Sequence, residues 1–225
     1  MAIGALAITP SPVSVAPFAM RGVELGVTID ELRAVTPPVD PSFQDVHLVC
    51  RQDLESHESN ERTDGRIAAG DFLNRAGVTV CEWSGRYVVS SPEAKKTVYD
   101  QASAAMPLGN AMITPTFYFV SDGQGAQRLF RIHAEVEMDH WGDLFEPMKA
   151  KFGAPSIASG VVQNAYGATA TKLTATWDNG VSSIVIEQFC GWKAGWMCID
   201  YHDAKYEDLY RDVLLKMKGD PTSRL

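Results

Sequence analysis

No stretch of this chain reaches the roughly 20 consecutive apolar residues that a membrane-spanning helix needs, so no membrane span is expected. Clusters of Lys and Arg interleaved with aromatics are missing as well. A formal net charge of -8, with a pI near 5.1, opposes phosphate backbones and excludes nucleic acid as an expected partner. Catalytic signatures are equally scarce: there is no Gly-rich phosphate loop, no His-Glu-x-x-His, no Gly-x-Ser-x-Gly and no Cys-x-x-Cys. Nucleotide phosphate binding, zincin proteolysis, nucleophile-elbow hydrolysis and thioredoxin-type exchange therefore have no motif to carry them, and no cofactor is expected.

Charge is absent from Met1 to Met20, where the apolar run Ala2 to Ile8 is followed by Pro10, Ser11, Pro12 and the small residues around Ser14-Val15-Ala16. This pattern reads as the apolar core and cleavage region of a secretory leader without its basic start, or as a disordered tail, and residues 1–20 are set apart on that basis. What remains is ordinary globular composition, 45% hydrophobic and 21% charged over 225 residues, enough to bury one large core or two small ones.

Four cysteines allow three pairings. Ser183 to Phe189 and Met197 to His202 read as strands flanking a turn with Gly191 and Gly195, which places Cys190 opposite Cys198 within disulfide range and leaves Cys50 for Cys81. The same register pairs Phe189 with Ile199 and Gln188 with Asp200. Stable disulfides belong to an oxidising compartment, so the expected localisation is periplasmic or secreted.

Along the chain, Thr28 with Glu31 predicts a capping box opening a short helix that Pro37 and Pro38 close. Val46 to Cys50 and Val78 to Trp83 read as strands around a polar loop, Asp53 to Gly65. A helix is expected from Ser91 to about Ala105. Thr116 to Ser121 and Arg128 to Met138 predict a hairpin turning at Asp122 to Gly125. Asp139 is expected to cap a helix to about Phe152, kinked or broken at Pro147 and stopped by Gly153. Lys172 to Trp177 and Ser183 to Phe189 form another hairpin around Asp178-Asn179-Gly180. Asp203 caps a last helix with Tyr206, Leu209, Tyr210, Val213, Leu214 and Met217 on its core stripe. The expected fold class is α+β, antiparallel sheet with helices packed on one face, arranged as two similar halves at 21–138 and 139–225 that can form one continuous domain.

Gly22 to Leu32 resembles the strand-into-helix opening of small secreted bacterial α+β domains of the β-lactamase inhibitor protein and outer-membrane assembly lipoprotein type. Leu144 to Pro155 is similar to the helix exit of many periplasmic proteins. The resemblance implies helices on one face of an antiparallel sheet and action by binding other proteins. It carries no binding residue over to these positions, and no cysteine near Ala16 offers a lipid anchor.

Two candidate sites follow from the residues. Trp192, Lys193 and Trp196 sit in the loop closed by Cys190 and Cys198, where a constrained backbone lowers the entropy lost when aromatic anchors bind, unless the rings fold back over the sheet. His133, Glu135, Glu137 and Asp139 alternate along a strand and would share one face, a donor set suited to a divalent cation or to acid–base chemistry, unless it is simply the solvated face of an acidic protein. The functional expectation is a non-catalytic protein that binds another protein or supports an envelope assembly. A metal-dependent hydrolase using the His133–Asp139 face and a carrier of a small apolar ligand are the alternatives.

Overall fold

In the computed structural model, residues 15–51, 73, 76–89, 97–163, 166–190 and 195–219 are described. The chain begins with a two-strand hairpin, β1 (Ala19–Met20) and β2 (Val23–Glu24), turning through Arg21 and Gly22, both at positive φ. Helix α1 (Ile29–Arg33) opens with the expected box: the Glu31 amide donates to Thr28 Oγ1 at 3.2 Å, and the Thr28 amide donates to Glu31 Oε2 at 2.6 Å. Then come β3 (Phe43–Cys50), β4 (Val78–Val89), β5 (Thr97–Ser103), the small hairpin β6 (Met106–Leu108) and β7 (Ala111–Ile113), β8 (Thr116–Ser121) and β9 (Gln127–Glu137). A 3-10 turn (Met138–His140) leads into α2 (Trp141–Phe152), followed by β10 (Ser156–Gln163), β11 (Thr169–Asp178), β12 (Ser182–Gln188), β13 (Trp196–Asp203) and α3 (Ala204–Gly219).

Nine strands form one antiparallel sheet in the order β10-β11-β12-β13-β9-β8-β4-β3, with β5 paired to the far end of β4. Each half is a helix followed by a meander, and the two meanders join through their last strands, β9 and β13. Alternation along the strands sorts side chains to two faces. Trp83, Phe117, Phe119, Ile132, Ala134, Ile184, Ile186 and Ile199 point inward, beneath Leu32 of α1 and Leu144 and Met148 of α2. Val78, Val80, Val120 and Phe130 point to the other face, where Tyr206, Tyr210, Val213 and Leu214 of α3 cover them. The α+β class therefore takes a sheet-dominated form with helices on both faces rather than one.

Several expectations change. The helix proposed from Ser91 is a strand where it is described: Thr97, Val98 and Tyr99 are β-branched and aromatic, and pairing of β5 with β4 overrides the local helix start. Ser91 to Lys96 and Asp53 to Gly65 lie outside the described residues. Asp139 is not a cap but the middle of the 3-10 turn, and α2 passes unbroken through Pro147. Residues 16–20 are part of the folded body: the Phe18 ring meets Phe152 edge-on at 5.0 Å, and Met20 is buried.

Both disulfides form, Cys50–Cys81 and Cys190–Cys198, as an oxidising, extracytoplasmic environment permits. Cys50 and Cys81 face each other in register. The second pair does not. Glu187 lies opposite Cys198, and Ile186 opposite Ile199, so the expected register is displaced by three residues. The strand ends at Gln188, Phe189 adopts φ 53, and the turn brings Cys190 back to within a Cα separation of 5.5 Å from Cys198.

Candidate functional site

Where α3 does not reach, the outer face of the sheet is polar. Arg131, His133 and Glu135 alternate on β9, Cys198, Asp200 and His202 on β13, and Val185 and Glu187 on β12, and together with Cys190 they line a depression of about 470 Å³. Asp200 organises it. The Arg131 Nε–H donates to Asp200 Oδ1 at 2.7 Å, and His133 Nδ1 lies 2.9 Å from the same oxygen. Burial alone would raise the Asp200 carboxyl, but the hydrogen bond from His133 and the Arg131 charge outweigh it and hold the group at about 2.

An ionised carboxylate only accepts, so His133 donates from Nδ1 and turns Nε2 toward the depression. That nitrogen stands 4.0 Å from Glu135 Oε1 and 4.0 Å from the disulfide sulfur of Cys198. Lys172 bonds Glu187, and His202 Nδ1 meets Glu207 Oε2 at 3.2 Å, so each of these side chains already has a carboxylate partner. The Arg131 guanidinium also lies 5.4 Å from the centre of the Tyr118 ring. Among the described residues the lining holds no hydroxyl and no free thiol. Among the described residues no group of three His, Cys, Asp or Glu side chains has the arrangement of a metal site.

His133 and Glu135 do share a face, as expected. Glu137 is the exposed last residue of β9, and Asp139 leaves the strand for the 3-10 turn, so the four do not form one row. Trp192 and Lys193 lie outside the described residues; Trp196 opens β13 opposite Glu137 and is half-buried. Arg131, Asp200 and His202 were missed by sequence reasoning. Alternation through His133 and through the strand after Met197 puts each on the right face, but only the pairing of β9 with β13 brings them together.

The two edges of the sheet differ more sharply. At β3 the register breaks between Gln44 and His47, with Asp45 at φ 54, and Arg86 ties the edge through Gln44 at 2.9 Å and Asp45 at 3.9 Å. At the other end, all eight residues of β10 pair with β11 without a register break. The sequence Ser-Ile-Ala-Ser-Gly-Val-Val-Gln has no charge and no proline. Ile157, Val161 and Tyr166 of this hairpin are 53%, 74% and 95% exposed. No family model, no curated protein and no solved structure matches the chain.

Proposed function

We propose that this chain is a non-catalytic, periplasmic or secreted protein that binds another protein, taking an extended segment of its partner along β10. The observation that carries the reading is the undefended edge. Strand edges are ordinarily blunted by charges, prolines or bulges, because their unpaired amides and carbonyls template pairing with any extended chain. β3 has a bulge and charge, whereas β10 has neither and displays Ile157 and Val161 beside it. Strand addition draws affinity from main-chain hydrogen bonds and selectivity from the side chains flanking the groove. The two disulfides support the compartment.

The test is capture from extracytoplasmic extract by immobilised protein, wild type against an Ile157→Lys, Val161→Lys double variant. Both positions are exposed, so the double variant keeps its thermal midpoint while the specifically captured species falls by about tenfold or more, as charge on an edge opposes pairing. Equal capture by both proteins would overturn the reading.

A second reading, acid–base chemistry at His133, is favoured by one observation, the Asp200-oriented ring with Nε2 toward the depression. It predicts a hydrolytic activity that His133→Gln abolishes. An inert wild-type protein against ester, amide and glycoside substrates would remove it.

A further inference from the structure

On the inner side of the sheet, α2, the β1–β2 hairpin and the β6–β7 hairpin enclose a second cleft of about 470 Å³. Its walls are apolar: Leu108, Leu144, Met148 and Phe152 all line it. The β6–β7 turn is held close to α2, since a Cβ on Gly109 would stand 3.2 Å from the Asp143 carbonyl oxygen. At the floor is Tyr201 of β13, only 3% exposed, whose phenol burial pushes upward and so keeps protonated. Its hydroxyl forms no hydrogen bond among the described residues and is not sealed from the cleft, so it is presented there as a donor. Arg21 and Lys151 stand at the mouth, and neither forms a salt bridge among the described residues. The nearby carboxylate, Asp143, is 3.5 Å from His140 Nδ1. In a chain of net charge -8, this mouth is locally cationic.

We propose that this cleft binds a small anionic amphiphile, a molecule with an apolar body and a carboxylate head. The body replaces water against Leu108, Leu144, Met148 and Phe152, and the volume falls within the usual range for small-molecule sites. The head is drawn by Arg21 and Lys151 and supplies the acceptor that the Tyr201 hydroxyl lacks. The head is anionic because Arg21, Lys151 and Tyr201 all present donors and none has a carboxylate partner among the described residues, the Lys151 ammonium lying only over the Phe152 ring at 4.8 Å; a cationic amphiphile would meet Arg21 and Lys151 and find only a carboxylate already beside a histidine. This site shares no residue with β10, and either proposal stands if the other fails.

The test is fluorescence titration of the full chain with 1-anilinonaphthalene-8-sulfonate, followed by displacement with decanoate and with decanol. One saturable site is expected, with decanoate displacing the dye about tenfold more effectively than decanol, as the charged head requires. Tyr201→Phe keeps the ring and its packing while removing the hydroxyl, and weakens decanoate about fivefold or more with the thermal midpoint unchanged. Lys151→Glu, at an exposed position, weakens decanoate about tenfold and leaves decanol as it was. The Ile157→Lys, Val161→Lys protein binds decanoate normally. Dye uptake without saturation, equal displacement by acid and alcohol, or full decanoate affinity in both Tyr201→Phe and Lys151→Glu would each overturn the proposal.

Discussion

The half of the sheet built from β3, β4, β8 and β9 and the half built from β10 to β13 share a plan, a helix followed by a meander, yet spend their surfaces differently. In the first, α3 covers part of the outer face with Tyr206, Tyr210 and Val213, the edge is bulged, and the disulfide joins two strands at positions with no exposure, Cys50 and Cys81. In the second, the outer face carries the Lys172–Glu187 pair and, at the junction, Asp200 bound to Arg131 of β9, the edge is bare, and the disulfide closes a turn at the margin. The same backbone arrangement thus gives a scaffold on one side and accessible surface on the other. What separates them is the cover each meander receives rather than its strand pattern.

The largest expected effect tests whether the disulfides follow this division. Cross-linking restricts the unfolded chain more when the closed loop is longer, and the sequence separations are 31 for Cys50–Cys81 and 8 for Cys190–Cys198. Chain entropy assigns roughly 3.5 kcal/mol to the first and roughly 2.5 kcal/mol to the second. Complete burial of Cys50 and Cys81 adds a packing loss on top. Cys50→Ala with Cys81→Ala is therefore expected to lower the urea-unfolding free energy more than Cys190→Ala with Cys198→Ala. The reverse order would break the scaffold-and-surface contrast.

The second effect belongs to the polar face. Asp200 is held at about 2 against an ordinary 3.8, so its contribution is present above pH 4 and disappears as the pH falls through about 2. The shift corresponds to roughly 2 kcal/mol. Asp200→Asn is expected to lose about that much at neutral pH, with the gap to wild type closing between pH 4 and pH 2 in a urea series. A gap that persists unchanged at pH 2 would show that Asp200 acts through packing rather than charge.

How much of this was legible in the sequence depends on the range of the interaction. The Thr28–Glu31 box, the Asp122 turn, the Asp178-Asn179-Gly180 turn and the Asp203 cap were readable because each is closed by atoms two to four residues apart. β10 was not readable: its residues alternate weakly, and it is a strand because β11 pairs with it. Nor was the second helix-bearing face, since the stripe on α3 shows that the helix packs but not on which side of the sheet. The candidate site was half visible. His133 and Glu135 stood out on one strand, while Asp200, which orients His133, is separated from it by 67 positions and reaches it only through the β9–β13 junction. In the Cys190 turn, the cysteines were paired correctly but the register was not, because the reversal at Phe189 has no glycine to announce it.

The smallest effect separates the helices that open the two halves. α1 begins with a reciprocal box, whereas α2 begins at His140 with no side-chain cap bond and is led in by a 3-10 turn instead. Replacing a capping threonine by alanine typically costs about 1 kcal/mol, since an amide at the helix start loses its acceptor. Thr28→Ala is expected to lose about that amount, because the Glu31 amide has Thr28 Oγ1 as its side-chain acceptor and Ile29 and Leu32 must be held against the inner face. His140→Ala removes only a partly exposed contact with Asp143 and is expected to change stability by about 0.5 kcal/mol or less. The two variants are compared by thermal midpoint under the same conditions. If His140→Ala proves the more damaging, the second helix is fixed by its start after all, and α2 rather than α1 is the better-anchored element of the inner layer.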